Sequence, residues 1–112
     1  MSKPYIIVYD INNEGEKNIF VEIIRSTFIS KQGNEHTILI SAPRNTRSKA
    51  LYEKIRDKLD RNLPFFVIEM DNFYGNLYVG SWEWLEETFP NLSFTKTNQI
   101  KESNTNETLS QE

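Results

Sequence analysis

Runs of apolar residues divide the first part of the chain into predicted strands and helices. The first run, Tyr5 to Tyr9, is apolar at every position and predicts a central β-strand covered on at least one face. Apolar residues at helical spacing follow it, with charged residues between them, and predict a first helix. These residues are Ile19, Phe20, Ile23 and Ile24.

A hairpin and a second helix are predicted next. A short strand near residues 27 to 30 and a stronger one at His36 to Ser41 flank the polar stretch KQGNE. Its Gly33-Asn34 pair favours the tip of a turn. Apolar residues spaced by four then predict a helix with one narrow apolar stripe. These residues are Leu51, Ile55 and Leu59.

The last elements complete a recognisable order. FFVIEM at residues 65–70 predicts a strand, LYVG at 77–80 a short strand, and WEWLEETF after Ser81 a helix. Strand, helix, strand, strand, helix, strand is the split βαβ order. We therefore predict an α+β fold, a ferredoxin-like βαββαβ sandwich with an appended short strand and helix. Because the helices of that order share one face of the sheet, the other face needs a partner, and we expect a homodimer.

The C-terminal part of the chain differs in composition. From Asn91 to Glu112 it is rich in Asn, Thr, Ser and Glu, and its few apolar residues are too scattered to form a face. We predict a ferredoxin-like domain over residues 1–90 and a disordered tail over residues 91–112.

Composition excludes several classes of site. The chain has no cysteine, which rules out disulfides, thiol catalysis and cysteine-bound metals. Neither a membrane span nor a signal peptide is evident, so we expect a cytoplasmic protein that does not bind membranes. The net charge is only −3, but basic residues concentrate from Arg44 to Arg61 and acidic ones from Glu69 to Glu87.

Three of the basic residues are candidates for binding nucleic acid. Arg44, Arg47 and Lys49 have no close acidic neighbours and gather at the start of the second helix, whose N-terminal amides also attract anions. The alternative is a solvated helix surface on which Glu53 and Asp57 form ion pairs with neighbouring Lys and Arg side chains.

The first strand ends on a carboxylate, Asp10. This residue could bind a metal ion, or it could accept hydrogen bonds from loop amides near Asn12 and Asn13. The residues alone leave both possibilities open.

The two tryptophans of the last helix are predicted to have different roles. Residues two apart on a helix point about 200° apart, so Trp82 and Trp84 cannot both face the core. We predict Trp82 inside, with Leu85 and Phe89, and Trp84 outside as an interface residue. Because glutamates surround Trp84, we expect a protein surface there rather than a nucleic acid.

The segment YIIVYDI, residues 5–11, resembles the opening strand of the CRISPR-associated small endonuclease family, which supplies the smaller subunit of the spacer-integration complex. The segments HTILI, LYEKIRDKLD, FFVIEM and WEWLEE resemble a divergent, SinR-like branch of that family. The resemblance extends from Lys3 to about Glu87.

The resemblance implies a homodimer in which two Asp10 carboxylates face each other, bind Mg²⁺ or Mn²⁺ and cleave nucleic acid in antiviral defence. A second carboxylate is needed because Mg²⁺ takes about six oxygen ligands, and such a metal would activate water. The family usually has an Arg, and often a Lys, early in the first helix and a Tyr-Gly before the second strand. Here Lys17 and Arg25 are the only basic residues of that region, and Tyr-Gly is absent. A non-catalytic protein-interaction or scaffold module of the same fold, and a toxin-like ribonuclease, therefore stay as alternatives.

Overall fold

The protein is described by a computed structural model that covers residues 1–71, 73, 75 and 77–90. The predicted tail, residues 91–112, lies outside these residues. The described chain forms an α+β fold in which a sheet is combined with helices. Its elements are β1 (Ser2–Tyr9), α1 (Glu14–Thr27), β2 (Ser30–Asn34), β3 (Thr37–Pro43), α2 (Ser48–Arg56), β4 (Phe65–Glu69) and α3 (Ser81–Thr88).

The sheet is antiparallel, and β1 lies inside it. The strand order is β2-β3-β1-β4. β1 pairs with β3 from Ser2↔Pro43 to Val8↔Thr37, and with β4 from Tyr5↔Glu69 to Tyr9↔Phe65. A strand with neighbours on both sides and elements over both faces is expected to be apolar throughout, which explains the run from Tyr5 to Tyr9.

One face of the sheet carries the larger core. Alternate residues of β1, β3 and β4 point to this face and pack with apolar residues of α1 and α2. The ring of Phe20 on α1 lies 5.1 Å from that of Tyr9 and 5.2 Å from that of Phe65, measured between centroids. Phe20, Tyr5 and Ile7 are completely buried. This core fixes α1 on the sheet.

The second face of the sheet is covered only in part. Leu85 and Phe89, from α3 and its C-terminal cap, are buried with Leu39 of β3 in a smaller core, against which Ile6 of β1 also packs. The face that we expected to be open to a partner is thus partly closed by the chain's own third helix. The prediction missed this because nothing in the order of elements fixes the face on which an appended helix will lie.

The predicted strand at residues 77–80 is wrong, because these residues form a turn that leads into α3. The amide of Ser81 donates to the carbonyl of Tyr78 at 3.1 Å, and Gly80 has a φ of 92°, in the left-handed region. That backbone cannot continue a strand. The Tyr78 amide does donate a strand-like hydrogen bond to the Gly33 carbonyl of β2, at 2.6 Å.

The predicted turn KQGNE is also misplaced. Its first four residues belong to β2, and α1 continues to Thr27 at the start of the predicted short strand. The turn falls one step later, where the side chain of Asn34 accepts a hydrogen bond from the His36 amide at 2.8 Å. Gly33 is needed for packing and not for a turn, because a Cβ atom there would lie 2.8 Å from the Thr37 hydroxyl oxygen.

Candidate functional site

Asp10 lies at the end of β1, on the second face of the sheet. Its amide donates to the carbonyl of Pro64 at 3.1 Å, which extends the pairing of β1 with β4 by one residue. Because side chains alternate along a strand, Asp10 continues the row of Ile6 and Val8. The residue is exposed.

The two interpretations of Asp10 can be compared with its surroundings. The loop that follows is held by Asn13, whose side chain accepts from the Glu16 amide at 2.9 Å and so caps α1. No hydrogen bond to the Asp10 carboxylate is found within the described part of the chain. The side chain that accepts from a loop amide is thus that of Asn13 and not that of Asp10, which is exposed.

A metal ion would need more ligands than one chain provides at Asp10. No group of three or more His, Asp or Glu side chains suited to a metal occurs among residues 1–71, 73, 75 and 77–90. One carboxylate leaves most of the coordination shell of Mg²⁺ or Mn²⁺ to water. A second carboxylate would have to come from another molecule.

An apolar strip runs beside Asp10 on the same face. It consists of Val8 on β1 and of Phe66 and Ile68 on β4, and we call it the β1–β4 strip. The pairs Val8↔Phe66 and Ile6↔Ile68 place these side chains on the face of Asp10. Phe66 is 56% exposed and Ile68 41%. The strip is the part of the second face that lies beyond the core formed with α3.

The three predicted nucleic-acid-binding residues lie at the other end of β1. Arg44, Arg47 and Lys49 are all exposed, and the amide of Arg44 donates to the Met1 carbonyl at 2.7 Å. At about 3.3 Å per residue, the eight residues of β1 separate this group from Asp10 by roughly 25 Å. The structure therefore does not bring the predicted basic and acidic residues of one chain together.

A carboxylate that was not predicted as a site residue, Glu69 at the end of β4, lies beside the start of α2. It accepts a hydrogen bond from Lys3 Nζ at 2.7 Å. Arg47 Nε lies 3.9 Å from the second Glu69 oxygen, although the Arg47 side chain is 86% exposed. Glu69 thus lies beside the helix N-terminus at which we expected an external anion.

The same contacts shift two pKa values. The hydrogen bond from Lys3 lowers the pKa of the Glu69 carboxyl, and this bond in turn raises the pKa of the Lys3 ammonium. Lys3 is only 8% exposed, so its charge is held inside the fold. The signal in the sequence was its position, because Lys3 precedes Tyr5 and Ile7 in the row of inward-facing residues.

The two glutamates at the start of α1 are also engaged. Arg61, in the α2–β4 connection, donates to Glu16, and Lys17 lies 3.6 Å from Glu14. These pairs reduce the negative charge around the loop that follows Asp10.

Trp84 does not lie outside the fold as predicted. Its ring is partly buried in the core of the second face and meets Phe89 edge-on at 5.8 Å between centroids. Trp82 is partly buried in the same core and stacks on Phe73 at 5.8 Å. A short helix that lies on a sheet lets long side chains on both of its flanks reach the surface beneath. The interface role of Trp84 stays a prediction.

The chain matches no family model, and no curated protein or solved structure is significantly similar to it. Within the described residues, no helix combines the length and the apolar character needed to cross a bilayer.

Proposed function

We propose that the protein is a homodimer that acts on nucleic acid, as a divergent member of the CRISPR-associated small endonuclease family with a ferredoxin-like fold. One observation carries this proposal: the exposed β1–β4 strip runs directly into Asp10 on the same face of the sheet. A second copy that covers the strip about a two-fold axis brings two Asp10 carboxylates towards each other. The exposed apolar side chains supply the reason for association.

The paired carboxylates would then provide the ligands that one chain lacks. Asp10 from each copy would bind Mg²⁺ or Mn²⁺, which supplies Lewis acidity and an activated water for phosphodiester cleavage. The residues of the chain itself would hold the metal and position the phosphate. The ion pair of Arg61 with Glu16 removes a repulsive charge near the approach to Asp10.

Dimerisation is tested by sedimentation of the full chain. We expect Phe66→Ser combined with Ile68→Ser to shift the dimer to monomer. The matched control is Ile19→Ser combined with Ile29→Ser, which removes two isoleucines that are 60% and 66% exposed elsewhere on the surface. Equal behaviour of the two double variants, or a monomeric wild type, would contradict the proposed interface.

Catalysis is tested by cleavage of single- and double-stranded DNA and RNA with Mg²⁺ or Mn²⁺. We expect Asp10→Ala to abolish cleavage, and Asp60→Ala, which removes another exposed aspartate, to leave it unchanged. Cleavage that survives Asp10→Ala would support a toxin-like ribonuclease with a different active site. An inactive wild type that still binds nucleic acid would make the protein a scaffold.

The distance between Asp10 and the basic group, which consists of Arg44, Arg47 and Lys49, predicts a minimum length for the nucleic acid. Nucleic acid rises about 3.4 Å per base pair, so roughly seven base pairs are needed to span the length of β1. Duplexes shorter than this should bind weakly. The triple variant of Arg44, Arg47 and Lys49 to Gln should lower the slope of log K against log salt by about 3. Lys54, Arg56 and Lys58 to Gln form the charge-matched control.

The position of Glu69 favours a second candidate function, a non-catalytic protein-interaction module. Glu69 lies beside the N-terminus of α2, 3.9 Å from Arg47 Nε, so one of the three basic residues Arg44, Arg47 and Lys49 already has an acidic neighbour within the chain. A protein partner would then bind on the β1–β4 strip or at Trp84. The absence of salt-sensitive binding to DNA and RNA would favour this candidate.

A further inference from the structure

A groove of about 440 Å³ lies between α1 and the edge strand β2. It is separate from the β1–β4 strip, since β2 and β4 are the two opposite edges of the sheet. Its volume falls within the usual range for small-molecule sites. The groove is open to solvent on one side, and its floor and walls differ in chemistry.

The floor presents one hydrogen-bond donor and one acceptor in fixed positions. Gln32 Nε2 donates to the Tyr9 hydroxyl at 2.7 Å and lies 2.6 Å from the Asn34 carbonyl and 3.0 Å from that of Thr37. The amide nitrogen is thus fully used, while Gln32 Oε1 accepts no bond from the described residues. Tyr9 is only 3% exposed, and its hydroxyl proton has no acceptor in the described part of the chain.

The Tyr9 hydroxyl accepts from Gln32 and lines the groove, so its proton can be donated to a water molecule or to a ligand group there. The same pair leaves Gln32 Oε1 ready to accept a hydrogen bond from that ligand.

The two walls are chemically different. On the sheet side, Tyr78 offers a ring that is 49% exposed, and Glu35 offers an acceptor carboxylate. On the α1 side, Arg25 and Lys17 are cationic, and Glu22 stands between them in sequence. Arg25 makes no ion pair with any described residue. One wall therefore suits a flat ring with N–H donors, and the other suits an anion linked to hydroxyl groups.

We infer that this groove binds a guanine nucleotide, with the base beside Tyr78 and the phosphate beside Arg25. Guanine carries adjacent N–H donors, which suit the Glu35 carboxylate and Gln32 Oε1, and an aromatic ring stacks on any base. Glu22 accepts from the ribose hydroxyls, and the guanidinium of Arg25 pairs with the phosphate. This inference does not depend on dimerisation or on Asp10.

The test is a titration of the full chain with guanosine monophosphate, followed by amide chemical shifts. We expect saturable shifts in α1, β2 and the turn at residues 77–80, and weaker binding of the adenosine, cytidine and uridine monophosphates. Tyr78→Ala should weaken binding about tenfold. Tyr9→Phe, which keeps the buried ring, should weaken it about fivefold.

Two further variants separate the base from the phosphate. Arg25→Gln should weaken binding of the nucleotide about tenfold but leave that of guanosine unchanged. Glu35→Gln should remove the preference for guanine. Lys58→Gln, an exposed position outside the groove, is the control and should change nothing.

Three outcomes would overturn the inference. The first is the absence of chemical-shift changes up to about 10 mM ligand. The second is a set of changes confined to the region of Arg44 and Arg47. The third is that the wild type, like Glu35→Gln, binds all four nucleotides with equal affinity. Asp10→Ala should still bind guanosine monophosphate, whether or not the wild type is a nuclease. The result of this titration is therefore independent of the result for the proposed function.

Discussion

The two faces of the sheet are built from the same strands but are completed in different ways. The face under α1 and α2 is closed by a large aromatic and aliphatic core, in which Phe20, Tyr5 and Ile7 are fully buried. The second face has a smaller core under α3 and leaves Phe66 and Ile68 exposed. One face is thus closed by the chain's own helices, while the other leaves part of its apolar surface exposed.

The largest expected effect is on the helix-covered face. Phe20→Ala removes a fully buried ring that contacts Tyr9 and Phe65, and should lower the free energy of unfolding by about 4 kcal/mol. Urea denaturation measures this loss. Ile19→Ala, at the adjacent but exposed position, is the control and should cost less than about 1 kcal/mol. Similar losses at both positions would contradict the burial of Phe20.

The second face should show a smaller but clear effect at its own core. Leu85→Ala removes the anchor of α3, which is 2% exposed, and should destabilise the fold by about 2 to 3 kcal/mol. Hydrogen exchange should show faster opening of α3 than of α1 in this variant. Unchanged protection of α3 would mean that this helix does not depend on Leu85.

The Lys3–Glu69 pair joins β1 and β4 at one end of the helix-covered face and predicts a dependence of stability on pH. The pKa of Glu69 is lowered by folding, so its stabilising contribution is present above roughly pH 4.3, the ordinary Glu value, and is lost as the pH falls through the lowered pKa. The pKa of Lys3 is raised, so its contribution is lost only when the pH rises through that raised value.

The measurement is the urea midpoint of wild type and Glu69→Gln over a series of pH values. The gap between them should be present at pH 7 and shrink as the medium becomes more acidic. Glu87→Gln, at an exposed position, should follow the wild type throughout. A gap of constant size would show that the ionised carboxylate is not what Lys3 recognises.

The smallest effect on stability is expected at the exposed strip. Phe66→Ser should change the free energy of unfolding of the monomer by less than about 1 kcal/mol, because the side chain is 56% exposed. Unfolding is measured on dilute protein, so that the stability of the monomer is observed without a contribution from association. A loss as large as that of Leu85→Ala would mean that Phe66 belongs to the core of its own chain.

Much of the fold followed from the alternation and spacing of apolar residues. The predicted strands at the start and end of the sheet and all three helices are confirmed within a few residues. The errors lie where glycine was decisive: Gly33 was interpreted as a turn residue although it allows close packing, and Gly80 breaks the predicted strand at residues 77–80. Local sequence does not distinguish these uses of glycine.

The candidate site was less predictable because it depends on contacts between distant residues. Asp10 was found as a strand-end carboxylate, but its separation from Arg44 follows only from the strand order. The position of Glu69 at the N-terminus of α2 joins elements far apart in sequence. The partial burial of Trp84 was missed because helical periodicity describes an isolated helix, not the surface on which it lies.

The interior position of β1 also bears on how the chain is made. Because β1 precedes both of its neighbours in the chain, it cannot be paired on both edges until the second of them, β4, which ends at Glu69, has been synthesised. Until then one edge of an apolar strand is unpaired, which makes nascent chains that stop within α2 candidates for aggregation or for chaperone binding. The sheet can therefore be completed only after β4 has been synthesised. The contacts that complete it join residues far apart along the chain, which slows folding.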